Sequence, residues 1–191
     1  MGMQTRKLIR LQGYDYAQNG VYFITVCSHN RVHWLGEIVG AHLCVRPEIP
    51  KDAIAPDKMV EKWLLEIEHK YINTKILKYV IMPNRIHFLI WNPGTDDTKT
   101  GAHIGAPLQE IMKWFKTQTT NEYIRGVKRG WYPAFDQHIW QRSYYDHIVR
   151  SRAEYRQIWQ YIEENPLKWE LDCYYHPEEM TSVPHRRKSS V

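Results

Sequence analysis

Two β-branched, apolar runs stand only two residues apart in this chain: KILKYVIM at 75–82 and RIHFLIW at 85–91, divided by Pro83 and Asn84. So short a connection leaves the backbone one course, a reversal that lays the second run antiparallel beside the first. The spacing therefore predicts a tight hairpin and, with it, two neighbouring strands of a sheet. VYFITVCSHN, from Val21, has the same β-branched and aromatic character and reads as a third, buried strand. HNR is a turn signal, and HWLGEIVG and AHLCV, divided by Gly40, suggest a smaller hairpin.

Helical spacing alternates with these runs. Asp57 is placed to cap a helix reaching about Tyr71, with Met59, Val60, Trp63, Leu64 and Ile67 on one side. PLQEIMKWFKTQTTNEYIRG reads as a second helix, with Pro107 in its first turn and Gly126 beyond its end. Its Leu108, Ile111, Met112 and Phe115 make one face, with Lys113, Lys116 and Arg125 elsewhere. HIWQRSYYDHIV, from His138, alternates as a strand. Ser151, followed three residues later by Glu154, is a capping box for a third helix that ends at Asn165, before Pro166. Residues 92–106 are a polar, Gly-rich loop, and no internal repeat is present. The expectation is one α+β domain over residues 1–175, an antiparallel or mixed sheet with helices on one face. Residues 176–191 are expected to form a basic, disordered tail.

Composition narrows the function. A net charge of +5 and a pI of about 9.0 favour a polyanionic partner. The aromatic content is weighted to 8 Trp and 13 Tyr against 4 Phe, which suits half-wet surfaces that stack on or hydrogen-bond to a partner, as well as a core. Cys27, Cys44 and Cys173 are far apart and form no CxxC, which speaks for a reducing compartment and against a zinc knuckle or a disulfide frame. No apolar run approaches the roughly 18 residues of a membrane span, and MGMQTRKLIR lacks the apolar core of a signal peptide. A cytoplasmic protein without a membrane partner is expected.

Three stretches carry candidate chemistry. Positions 85 and 87 project to the same side of a strand. Two imidazoles there would make half a metal site, but only His87 is one, and a lone strand histidine is more often structural than a ligand. Tyr161 and Asn165, four apart, stack at the edge of the apolar face formed by Tyr155, Ile158, Trp159 and Ile162. There Tyr161 could present its hydroxyl and Asn165 its carbonyl oxygen, or the two could be a boundary residue and a helix C-cap. On the 138–149 run, Trp140, Arg142, Tyr144 and Asp146 would share one face, with Gln141, Ser143, Tyr145 and His147 on the other. That is a platform for single-stranded bases, or an ordinary half-buried strand.

VIMPNRIHFLIW, APLQEIMKWFKTQTTNEYIRG and WQRSYYDHIVRSRAEYRQIWQYIEENPLKWELD resemble, in that order, the REP-associated tyrosine transposases, which are single-tyrosine HUH enzymes of bacteria. The opening IRLQGYDYAQNGVYFITVCSHNR is similar too, so the resemblance runs from about Ile9 to Asp172. It implies a ferredoxin-like domain that cuts and rejoins single-stranded DNA beside imperfect hairpins through a 5′-phosphotyrosine. By position it makes Tyr161 the nucleophile, and His87 and Asn165 ligands of a Mg²⁺ or Mn²⁺ ion, while Arg85 falls where the first HUH histidine belongs. A metal would help because a phenol, with a pKa of about 10, is a weak nucleophile at neutral pH. A guanidinium has no lone pair to give a metal, but it can clamp a phosphate. His103, His138 and His147 are the other imidazoles that could complete such a site.

Two functions follow from the resemblance: a metal-dependent tyrosine transposase impaired by Arg85, or a catalytically silent hairpin-DNA binder. An RNA-binding module needs only the charge and the aromatics. Arg142, Lys113, Lys116 and the tail residues Arg186, Arg187 and Lys188 are the expected DNA contacts, and the resemblance points to a monomer.

Overall fold

A computed structural model describes residues 15–39, 43–45, 50, 53–94 and 106–171 of the 191. Most of the 92–106 loop, the tail residues Arg186, Arg187 and Lys188, and His103 lie outside the described residues. The order of elements is β1 (Gly20–Cys27), β2 (Glu37–Val39), β3 (Leu43–Val45), α1 (Pro56–Lys70), β4 (Lys75–Met82), β5 (Arg85–Asn92), α2 (Leu108–Lys128), β6 (Tyr145–Val149) and α3 (Arg152–Glu164).

β4, β5, β1 and β6 form one antiparallel sheet in that spatial order, and β2 and β3 pair separately. Without the β2–β3 insertion the chain runs β-α-β-β-α-β, the ferredoxin-like arrangement. The expected hairpin closes at Met82↔Arg85 around Pro83 and Asn84. The tip does not project into solvent, because the Leu35 and Ser28 amides donate to the Pro83 and Asn84 carbonyls. A residue at that tip is therefore buried, against the usual habit of hairpin ends.

Strand alternation divides the side chains between two faces. Tyr22, Ile24, Val26, Ile86, Phe88 and Ile90 form one core with Met59, Leu64 and Ile67 of α1 and Ile111, Met112 and Phe115 of α2. Phe23 and Leu89 face the other way and pack on Ile162 of α3, with Tyr155, Ile158 and Trp159 around it. The third helix thus covers the face opposite to α1 and α2, which corrects the expectation of helices on one face.

Three further expectations are revised. The cap of α1 is Ala55, which makes no side-chain cap bond, and Pro56 holds the first helical position, so Asp57 sits inside the first turn. Gly126 lies within α2, where a Cβ would come 2.2 Å from the Tyr132 ring. The stop belongs to Gly130, at φ +75°. There the Trp131 and Gly130 amides donate to the carbonyls of Gly126 and Val127, a Schellman ending. Finally, only Tyr145–Val149 of the 138–149 run is a strand. β1 ends at Cys27, and Asn30 and Arg31, both at positive φ, turn the chain away. Trp140 keeps one bridge, to Ser28. Its indole enters the core and donates to Thr119 Oγ1 at 2.8 Å, so Trp140, Arg142, Tyr144 and Asp146 do not share a strand face.

Candidate active site

β5 aims Arg85 and His87 to the α3 side of the sheet, because Ile86 and Phe88 take the other side. The register sets Thr25 opposite His87 and Cys27 opposite Arg85. α3 docks on that same side. Its capping serine accepts from the Glu154 amide, as the sequence predicts, while the Glu154 carboxylate accepts from the Arg150 amide and pairs with His147 Nε2 at 2.6 Å. Those two bonds, the backbone one first, hold the Glu154 carboxyl below the usual carboxylate range.

The result is a layered site. Tyr161 lies at its mouth, 47% exposed, above Arg85, His87 and Asn165, which are 3%, 4% and 6% exposed. The His87 ring meets Tyr161 edge-on at 5.3 Å and stacks on Phe23 at 5.7 Å. Phe23 and Tyr161 lie 5.9 Å apart at right angles. His87 Nδ1 and Thr25 Oγ1 are 2.8 Å apart, and Arg85 Nε donates to His87 Nε2 at 3.0 Å. Because a guanidinium only donates, Nε2 must be an acceptor, and the imidazole proton resides on Nδ1, facing Thr25.

The same guanidinium donates to Asn165 Oδ1 at 3.4 Å and to Asn84 Oδ1 at 3.3 Å. Its carbon lies 5.1 Å from the centre of the Trp169 ring, at cation–π distance. Trp169 in turn meets the His33 ring edge-on, 5.5 Å away. Sequence reasoning brought out Tyr161, His87, Asn165 and Arg85 but missed Thr25, Asn84 and Trp169. Thr25 declares itself only through the β1–β5 register. Asn84 read as a turn residue, and Trp169 lay in a stretch that offered no spacing signal.

These donor atoms do not fit a divalent ion. A metal at this place would need the single lone pair of His87 Nε2, which accepts from Arg85, and would have to share Asn165 Oδ1 with the same guanidinium. Of the imidazoles expected to complete the site, His147 pairs with Glu154 and His138 lies against His29 at 5.6 Å. Among the described residues no group of three His, Cys, Asp or Glu side chains could hold a metal ion.

A cleft of about 370 Å³ opens beside Tyr161, lined by that residue with Tyr145, His147, Glu154 and Gln157, among others. Lys113, Lys116 and Arg142 do come together, but in a groove of about 530 Å³ along α2, the helix on the opposite face from α3. Lys116 is partly spent there. Its ammonium donates to the carbonyl of Gln141 and, at 2.9 Å, to that of Arg142. Burial lowers its pKa to about 8. No helix of the described residues is long and apolar enough to cross a membrane.

No family model matches the chain. It is 30% identical over 181 residues to an uncharacterized protein of Haemophilus influenzae, a match that covers 91% of this chain and 95% of that one. Among solved structures it is similar to a REP-associated tyrosine transposase bound to a REP hairpin, with a TM-score of 0.52 and 19% identity, over 83% of this chain and 73% of that one. At that identity the likeness is one of fold.

Proposed function

Because the chain belongs to one family with the Haemophilus influenzae protein and has a transposase-like fold, we propose that it is a tyrosine transposase of the REP-associated kind. In this reading it binds single-stranded DNA beside hairpins and cleaves and rejoins it through Tyr161. The observation that carries the reading is the layering: one half-exposed phenol set edge-on over a buried, polar Arg85–His87–Asn165 cluster. A tyrosine whose only task was packing would need no such floor.

The chemistry balances without an external energy source. Tyr161 Oη attacks the phosphorus of a phosphodiester, the Oη–P bond forms and the P–O3′ bond breaks. The phenolic proton passes to solvent, and the departing 3′-oxygen takes one up. One phosphodiester is exchanged for another, so attack by a 3′-hydroxyl reverses the step and rejoins the strand. Phe23 and His87, stacked on each other, both meet the phenol ring edge-on, which limits the positions its oxygen can take. Lys113 and Arg142, exposed in the α2 groove, supply phosphate contacts away from the reacting atoms, and the tail residues Arg186, Arg187 and Lys188 add further positive charge for the same polyanion. Binding should then weaken with salt, by a log–log slope of about −0.7 per phosphate contact on a single strand.

A second reading keeps the DNA and drops the cleavage: a silent hairpin-DNA binder. It is favoured by Arg85, which stands where the HUH pattern has its first histidine. The deciding experiment incubates the full chain with hairpin-bearing single-stranded DNA from its own gene's flanks. A covalent adduct is then sought on a denaturing gel. The native chain is expected to form an adduct that Tyr161→Phe abolishes. An adduct that survives Tyr161→Phe sinks the assignment of the nucleophile, and DNA binding without any adduct leaves the silent binder.

A further inference from the structure

We infer that the guanidinium of Arg85 is the resident cation of this site: it stands where a divalent ion would sit and makes phosphodiester binding beside Tyr161 independent of metal. The inference rests on the DNA reading above for its substrate and on side-chain geometry for everything else.

Two groups from distant elements converge on this one cation. His87 Nε2 comes from β5 and Asn165 Oδ1 from the end of α3, and both accept from Arg85. They are the pair of lone-pair donors that the HUH resemblance would give to a metal. An ion arriving here would have to break the hydrogen bond to His87 Nε2, share Asn165 Oδ1 with the guanidinium and sit beside a fixed positive charge. The guanidinium keeps its proton at any working pH, so its charge is not conditional. Nor can it swing aside as a surface arginine would. Asn84 Oδ1 accepts from one terminal nitrogen, the Trp169 ring lies against its face, and the residue is 3% exposed.

The charge lies one side chain from the phenol, since the His87 imidazole touches both Arg85 and Tyr161. It therefore faces any phosphodiester brought to the Tyr161 hydroxyl with a preorganised positive field in a half-buried setting. A metal would bring two charges to this place, whereas Arg85 brings one, and brings it from behind His87. The exchange makes the site insensitive to chelators and leaves less charge neutralisation for the cleavage step.

The test uses the full chain, Mn²⁺ as probe, and hairpin-bearing single-stranded DNA. Mn²⁺ uptake is followed by the loss of the free-ion EPR signal, and DNA affinity is measured in EDTA and in Mn²⁺. The native chain is expected to take up no stoichiometric Mn²⁺ and to change its DNA affinity by less than about twofold between the two buffers. Arg85→His is expected to gain stoichiometric Mn²⁺ uptake and, in EDTA, to lose about tenfold in DNA affinity relative to Mn²⁺. Arg85→Lys, which keeps the charge, is expected to take up no Mn²⁺ and to stay insensitive to EDTA. Tight Mn²⁺ uptake by the native chain overturns the inference, and so does a folded Arg85→His chain that takes up none. Should Arg85→His fail to fold, the native and Arg85→Lys arms still decide. Mn²⁺ uptake needs no DNA, so a native chain that ignores both the ion and the DNA sinks the proposed function and not the assignment of Arg85.

Discussion

At the scale of the residue, Tyr161 is unusual in combining exposure with confinement. Its ring is held by Phe23 and His87, while nearly half of its surface meets solvent. Removing its hydroxyl leaves those ring contacts in place. Tyr161→Phe is therefore expected to change unfolding free energy by no more than about 0.5 kcal/mol in a urea titration. That result makes the loss of a DNA adduct a statement about chemistry and not about folding. A larger change would mean that the hydroxyl supports the fold. Arg85 is the opposite case, a charge made tolerable by the acceptors and the aromatic face around it.

At the scale of the element, α3 carries the phenol and has Asn165 as its C-cap, and within the helix Ile162 is the one buried side chain. Its seat on the sheet depends on that residue and on a partly buried stripe of Tyr155, Ile158 and Trp159. Ile162→Ala is expected to cost about 2–5 kcal/mol and to free the helix from Phe23 and Leu89. Ser151→Ala, which removes the N-cap acceptor, should cost about 1 kcal/mol. Backbone hydrogen exchange can check the ordering. α3 amides should exchange faster than those of β1 and β5, and the gap should widen in both variants. Equal protection of α3 and the central strands would show the helix to be held by more than this stripe.

At the scale of the whole molecule, buried titratable groups set an alkaline stability profile. Burial lowers Lys116 from 10.5 to about 8, so between those values the unfolded chain holds a proton that the folded chain has released. Stability accordingly rises with pH from about 8. Burial acts in the opposite sense on the acids. It raises the Cys27 thiol above 9.0 and the phenols of Tyr71, Tyr123 and Tyr132 above 10.0. It also raises Tyr79, whose O–H donates to Glu61, to about 12. Above their ordinary values the unfolded chain has lost protons that the folded chain keeps, so stability falls. Thermal melts across pH should show a maximum between about pH 8 and 10, and Lys116→Met should remove the rising limb. A profile in Lys116→Met that still climbs from pH 8 would place the rise elsewhere.

Some parts of the molecule have local causes and are legible in neighbouring residues. Alternation and a two-residue connection give the β4–β5 hairpin. Helical periodicity gives the buried faces of α1 and α2, and Ser151 starts α3. The four-residue step from Tyr161 to Asn165 follows from helix geometry alone. The tertiary structure decided what depends on residues far apart in the chain. It chose the sheet face that α3 covers, set Thr25 against His87, and folded the Ser28–Leu35 segment over the hairpin tip. It placed Lys113, Lys116 and Arg142 across the sheet from Tyr161. It also turned Arg85 from an odd letter in a motif into a buried cation held by His87, Asn84 and Asn165. Periodicity is written in neighbouring residues, whereas burial and partnership are settled only when distant segments compete for the same space.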